Sequence, residues 1–365
     1  MDCAVVPTRH PGLFLVSTTD FFYPNVEDPY LQGRIGAANV LSDLYAMGVS
    51  DVDTVLMLLA LSSDMAAAER DVATTELLRG FADAVRDAGS SVTGGQTVTN
   101  PWPIVGGVAS ATVTAGEMIR PGGARPGDVL VLTKPLGTQL AVNMWQRRDD
   151  AAKWGALGGA LTRAQAARAY DVACDGMARL NRNAARLMHA HGAHAATDVT
   201  GFGLLGHARC VGGGSSARGG GGGGKLFAAT LFGSPAHQRA PHPPHLPHPL
   251  RCSNLAAHSD APVRFTLHTL PIIAGMAAAD AALGHNWRLA QGFSAETSGG
   301  LLVALPAADA PGFIDALRAA DGRPAWVIGT VAAGEAGDSE AAMAVIAPGA
   351  CVLDVEHDVP PMYTY

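Results

Sequence analysis

Cysteine is sparse here, and its spacing excludes more than its number. Cys3, Cys174, Cys210, Cys252 and Cys351 stand far apart and form no CxxC pair. Neither a disulfide framework nor a zinc site can be read from them, and a reducing compartment is the default. Basic residues are also short: Lys and Arg total 25 against 32 Asp and Glu, a formal net charge of −7. That balance argues against a nucleic-acid binder working through a basic face. It leaves ATP open, because phosphate sites use backbone N–H groups, metal ions and a few local cations. Long apolar runs are missing as well. The longest, residues 55–61, is far too short to span a bilayer. No secretory leader pattern opens the chain. The expectation is a soluble, cytoplasmic protein with neither nucleic acid nor membrane as partner.

What is present is ample core material. The chain has 365 residues, 48% of them hydrophobic and 16% charged, which suits two domains. Strands are expected over 13–16, 54–61, 91–92, 104–114, 129–133, 263–267 and 301–305. A helix over 32–47 carries Ile35, Ala38, Leu41, Leu44 and Tyr45 at helical spacing and stops at Gly48. A second, over 75–88, carries Leu77, Leu78, Phe81 and Val85 and stops at Gly89. Residues 162–191 read as one long alanine-rich helical region. Strands and helices mix without a strict βαβ rhythm, so the fold class is α+β. Turn formers over 120–128 mark a boundary, giving an N-terminal domain at 1–119 and a C-terminal α+β domain at 120–355. Residues 212–260 hold a glycine run and then proline and histidine, a composition that cannot bury enough apolar surface to order itself. His237, His242, His245, His248 and His258 fall in this insert and read as solvated rather than metal-binding, since nothing fixes their geometry.

The chemistry-bearing candidates are acids beside glycine loops. Asp2, Asp20, Asp43 and Asp198 each stand beside small residues or glycine at the expected end or edge of an element. Asp43 lies on a helix that is apolar on most sides. A buried carboxylate there wants a cation or hydrogen bonds, so each acid is a candidate magnesium ligand and equally a plain capped aspartate. Three loops accompany them: Thr93-Gly94-Gly95-Gln96-Thr97, expected between two strands; Thr197 to His207, before a helix start; and Glu296-Thr297-Ser298-Gly299-Gly300. The first matches neither a P-loop nor a GxGxxG fingerprint. Each is also compatible with an ordinary turn or cap.

Taken together and in order, Asp2, Thr18-Thr19-Asp20, the run from Ala38 to Gly48 (ANVLSDLYAMG), VTGGQT at 92–97, GDVLVLTKPLG at 127–137, ATDVTGFGLLG at 196–206 and ETSGGLL at 296–302 resemble the selenophosphate synthetase (selenide, water dikinase) family. That family lies within the aminoimidazole ribonucleotide synthetase superfamily. The resemblance covers nearly all of the chain outside the insert. It implies a two-domain fold whose N-terminal α/β domains combine into a dimeric β-barrel with C-terminal α+β domains packed outside. It further implies conversion of ATP, selenide and water to selenophosphate, AMP and phosphate. By the same resemblance Asp2, Asp43 and Asp198 are Mg2+ ligands, Asp20 is an ATP-site acid, and Gly94, Gly95, Gln96 and Thr97 hold the nucleotide. The partners implied are a second copy of the chain and the small molecules ATP and selenide.

The family also carries a glycine-rich N-terminal segment with a catalytic Cys or selenocysteine and an essential Lys. Both groups are expected upstream of Met1, which reads as an internal residue of a longer protein. The resemblance thus implies a chain that starts inside its own active site, has no catalytic residue of its own and is inactive as it stands. Cys3 reads as an apolar strand neighbour and Lys134 as a structural or surface lysine, not as replacements. Two alternatives stand beside the enzyme reading: a non-catalytic paralogue with an interaction role, and another ATP-using member of the superfamily.

Overall fold

The computed structural model describes residues 2–208, 263–334 and 344–359. The expected insert at 212–260, with its five histidines, lies outside the described residues. Met1, the point upstream of which the catalytic Cys or selenocysteine and Lys are expected, lies outside them too. The description of the site therefore begins at Asp2.

The first half of the chain forms β1 (Ala4–Pro7), β2 (Leu13–Phe22), α1 (Pro29–Ala46), β3 (Thr54–Ser62), α2 (Ala67–Asp87), β4 (Val92–Asn100) and β5 (Ile104–Thr114). Its five strands make one sheet in the order β1-β2-β5-β3-β4, antiparallel except for the β3–β4 pair. The second half adds β6 (Asp128–Leu132), α3 (Thr138–Gln146), α4 (Ala151–Gly155), α5 (Arg163–Ala178), α6 (Arg182–Ala190), β7 (Ala195–Asp198), α7 (Gly203–Ala208), β8 (Val263–Ile273), α8 (Met276–Ala282), β9 (Leu301–Pro306), α9 (Ala310–Asp321), β10 (Trp326–Ala333) and β11 (Ala344–Val355). Six of these strands form a second sheet in the order β11-β8-β10-β6-β9-β7. The class is α+β, as the sequence implies.

The element that organises both halves is α1. Asp28 caps its start, its carboxylate accepting from the Tyr30 and Leu31 N–H groups at 2.8 and 3.4 Å, with Pro29 in the first turn. Gly48, at φ +76°, ends it. A helix that is apolar on most sides must be buried on most sides, and α1 is. Ile35 joins a core with Leu130, Leu140 and Phe265 of the second half. Ala37, Val40, Leu41 and Leu44 join another with Val16, Phe81 and Val105 of the first sheet. Each such Leu, Ile or Val is worth about 1.5–3 kcal/mol on burial, so α1 binds the two halves into one body.

Three expectations change. The strand expected at 13–16 runs on to Phe22 as β2, so Asp20 lies within a strand and not at its end. Residues 93–97, expected between two strands, are themselves strand β4, paired in parallel with β3. Glycine explains the reversal: Gly95 sits at φ +147° against the Met57 carbonyl, where any Cβ would collide. Two adjacent glycines that look like a turn instead permit a close strand approach. The single helical region expected at 162–191 is broken into α5 and α6. Arg179 leaves the helix with φ −73° and ψ 127°, and Asn181 turns its side chain to the Ser42 hydroxyl and the Gly299 carbonyl, at 3.1 and 2.9 Å.

Helices α1 and α2 cross at two glycines. A Cβ on Gly33 would press into the Leu77 carbonyl, and one on Gly80 into the Tyr30 carbonyl. Gly80→Ala is therefore expected to destabilise the chain, because overpacking costs about 1–3 kcal/mol against a helix-propensity gain of about 1 kcal/mol. In urea unfolding the midpoint should fall at unchanged slope; a midpoint at or above the parent's would contradict the close crossing.

Candidate acid site

The site is built where α1 meets β2. Asn39 and Asp43 are four residues apart on one helix face, about 6 Å along the axis. Thr18 and Asp20 are two apart on one face of the strand, about 6.6 Å. The two spacings match, and the side chains pair across the gap: the Thr18 hydroxyl donates to Asp43 Oδ2 at 2.5 Å, and the Asn39 amide donates to Asp20 Oδ2. The second half delivers Asp198 at the end of β7, whose register sets it opposite Leu301 of β9. Asp2, just before β1, accepts from the Thr197 hydroxyl at 3.2 Å. Asp2, Asp43 and Asp198 thus converge from three segments, with one oxygen of each within 4.8 Å of the others.

Burial makes this arrangement expensive. Burial and then the Asp198 charge push the Asp2 carboxyl up to about 7 and the Asp20 carboxyl up to about 6. Burial, then Asp198 and Asp2, raises Asp43 well above its ordinary value, while the Thr18 hydroxyl pulls the other way. Asp198 is raised by burial against a hydrogen bond from Ser42. Among the described residues none of the four forms an ion pair with an arginine or lysine. Oδ2 of Asp2 is buried with no hydrogen-bond partner. Hard carboxylate oxygens, close together and uncompensated, fit a divalent cation such as Mg2+. A cavity of about 970 Å³ lies between α2, α3 and residues 24–29, but none of the four acids lines it.

The glycine strand is not beside the acids. Asp20 is level with Gly107 of β5, Gly107 with Met57 of β3, and Met57 with Gly95 of β4, so about 14 Å of sheet separates Asp20 from Gly95. Gln96 pairs with Leu58, two residues along from the exposed Leu56. It therefore points to the sheet face away from α1, whereas Asp20 points toward α1. Gly94, Gly95, Gln96 and Thr97 are all exposed. Cys3 is 4% exposed and packs in the core with Val16. Burial, then Asp43, Asp2 and Asp198, hold its thiol protonated, in line with its reading as an apolar neighbour.

Several supporting residues escaped the sequence reading. Thr18 and Asn39 lie inside the quoted motifs, yet nothing local told their roles. Ser42 donates to Asp198 and accepts from Asn181 at 3.1 Å, and Asn181 sits in an alanine-rich stretch with no signal at all.

The raised carboxyls predict a pH signature. Asp2 and Asp20 bind protons more tightly folded than unfolded, so their contribution is full below about pH 4 and is lost as pH rises through about 6 to 7. The thermal midpoint of the metal-free chain should fall between pH 5 and 8, Mg2+ should restore it at pH 8, and both effects should shrink in Asp43→Asn. Equal pH slopes in parent and variant would contradict the coupling of these acids.

Comparison with known proteins agrees with this architecture. Residues 1–113 match the AIR synthase related protein, N-terminal domain, and residues 125–217 and 252–341 match its C-terminal domain. The selenide, water dikinase of Trypanosoma brucei brucei is 48% identical over 339 residues, covering 91% of this chain and 75% of that protein. The human selenide, water dikinase 2 is 46% identical over 92% of this chain and 65% of its own length. Solved structures share the fold at lower identity. The thiamine-monophosphate kinase of Stenotrophomonas maltophilia aligns at a TM-score of 0.58 with 19% identity, covering 93% of this chain and 87% of that one. The hydrogenase maturation protein HypE in complex with ATP aligns at 0.58 with 17% identity, covering 90% and 78%. With that identity to dikinases across nine-tenths of its length, and both AIR synthase related domains matched, the chain belongs to the selenide, water dikinase family.

Proposed function

We propose that this chain carries the metal and nucleotide site of selenophosphate synthesis, the conversion of ATP, selenide and water to selenophosphate, AMP and phosphate. The observation that carries the reading is the convergence of Asp2, Asp43 and Asp198 from three distant segments, at the junction of two domains proposed to span 1–119 and 120–355. Asp2, Asp43 and Asp198 hold Mg2+ in this reading, and Asp20, oriented by Asn39, completes the acid wall. The metal supplies charge neutralisation on the polyphosphate. The chain's own residues keep the acids apart, aimed and shielded: Thr18 on Asp43, Thr197 on Asp2, Ser42 on Asp198. Cys3, buried and protonated, is not the group that handles selenium.

Homodimerisation fits the outer face of the first sheet. Val6, Leu15, Phe21, Leu56 and Val98 are exposed there, and apolar side chains left exposed on one sheet face suit an interface. Gly94 and Gln96, level with Leu56 and Leu58, open on that face, whereas Gly95 and Thr97, level with Met57 and Leu59, open on the side of Asp20; in this reading the nucleotide reaches from β4 to the acids. In this reading the enzyme works in the cytoplasm; among the described residues no helix is long and apolar enough to cross a membrane.

Titration with a non-hydrolysable ATP analogue tests the site. Asp43→Asn combined with Asp198→Asn should weaken Mg2+-dependent binding by about 100-fold or more, as two charged ligands are lost; Asp315→Asn, exposed on α9, should leave it unchanged. Retained Mg2+-dependent affinity in the double variant would refute the assignment. Selenide-dependent formation of AMP, rather than ADP, separates this reaction from that of other ATP-using members of the superfamily.

A further inference from the structure

The acids are aimed by amides, and the amides are held by a single loop. Residues 296–300 lead into β9 and touch both sides of the acid site. The Ser298 N–H donates to Asn39 Oδ1 at 2.9 Å, and the other end of that amide donates to Asp20. The Gly299 carbonyl accepts from Asn181 at 2.9 Å. The same amide donates to Ser42 at 3.1 Å, and Ser42 donates to Asp198. One peptide segment therefore controls the orientation of the groups that orient Asp20 and Asp198.

That segment is held in a conformation it would not choose. Ser298 lies at φ +45°, left-handed for a residue with a side chain, and is fully buried with its hydroxyl unpartnered. Backbone of this kind persists only where its surroundings over-determine it. Gly299 and Gly300 permit the packing, since a Cβ at either would collide with the Val199 carbonyl or the Lys134 N–H. Two anchors supply the rest. Glu296, buried, accepts from the Gly137 and Thr138 N–H groups at 2.7 and 2.9 Å and from the Thr138 hydroxyl, clamping one end to the start of α3. At the strained residue itself, Lys134 Nζ donates to the Ser298 carbonyl at 2.9 Å and to the Arg179 carbonyl at 2.7 Å.

Lys134 is 3% exposed and forms no ion pair among the described residues. Burial, then the Arg179 charge, pushes the Lys134 amine well below its ordinary value, so a buried amine donating to carbonyls is a costly way to hold a loop. Its reach explains the choice: it joins the end of β6, the break between α5 and α6, and the 296–300 loop, three segments that no short side chain could span. The Arg179 carbonyl lies two residues before Asn181, so Lys134 holds both the donor and the acceptor of the Asn181–Gly299 bond in place.

We infer that Lys134 is a positioning residue of the acid site, locking the strained Ser298 peptide so that Asn39 and Asn181 hold Asp20 and Asp198 in the arrangement that receives the metal–nucleotide. Lys134 touches neither metal nor nucleotide and is not catalytic. The inference rests on the proposed metal–nucleotide site.

The test uses the full chain with Mn2+ and a non-hydrolysable ATP analogue, reading bound Mn2+ by electron paramagnetic resonance beside thermal unfolding. Lys134→Met removes both donors at similar length. It should weaken Mn2+–nucleotide binding by about tenfold or more, the scale of a buried carbonyl left without its donor, in protein that is still folded at the assay temperature. Lys134→Gln, which keeps N–H donors, should recover part of that loss. Should Lys134→Met not fold, Glu296→Gln reads the same loop from its other anchor and should lower affinity in the same way. Folded Lys134→Met with parental affinity, or Glu296→Gln with parental affinity where Lys134→Met does not fold, would overturn the inference. Parent protein that binds no Mn2+–nucleotide would instead remove the site reading itself.

Discussion

The structure is organised around the cost of gathering buried acids. Asp2, Asp43 and Asp198 offer oxygens within 4.8 Å of one another, and at that separation two ionised carboxylates repel by roughly 3–4 kcal/mol at an effective dielectric near 20. No arginine or lysine among the described residues pairs with them. What stabilises the arrangement is a shell of neutral donors, with Thr18, Ser42, Asn39 and Thr197 each giving one bond to an acid. Neutral donors hold an acid in place without cancelling its charge. The residual negative potential is then available to a cation that arrives with a ligand, which a built-in arginine would have consumed.

The same constraint accounts for α1. Its acid and amide must face β2 at fixed spacing while its remaining sides bury Ile35, Leu41 and Leu44, so the helix cannot shift without unpacking both cores. The two halves share hydrophobic contacts through it, and Asp198, carried by the second half, is registered against Asp43 by that packing. Lys134 extends the logic one layer out, exchanging the expense of burying its amine for control of the Ser298 peptide. The fold shared with thiamine-monophosphate kinase and HypE structures shows that the scaffold itself is general. What distinguishes one member from another is the set of side chains placed on it.

Local patterns were readable where one element decides its own fate. Strand β3 follows from an apolar run between aspartates, helix α1 and strand β9 from helical spacing or an apolar run bounded by glycine or proline, and the identities of Asp2, Asp43 and Asp198 stood out within their motifs. Reading failed where a neighbour decides. The Gly94-Gly95 pair has the composition of a turn and becomes a strand because Met57 lies where only glycine fits. The alanine-rich stretch across 179–181 has the composition of a helix and breaks because Asn181 is drawn to Ser42 and Gly299, which are 139 and 118 residues away.

By itself, then, the amino-acid order determined the class of fold, the apolar faces, and the presence of acids and glycine loops in a pattern shared with one family. Only the tertiary structure decided that three of those acids meet, that Asn39 holds Asp20, that Gly94 and Gln96 face away from the acids, and that Lys134 is buried against two carbonyls. The reason is physical. Backbone propensity and hydrophobic periodicity act over a few residues, whereas a carboxylate's partners are fixed by whatever packing brings within 3 Å of it.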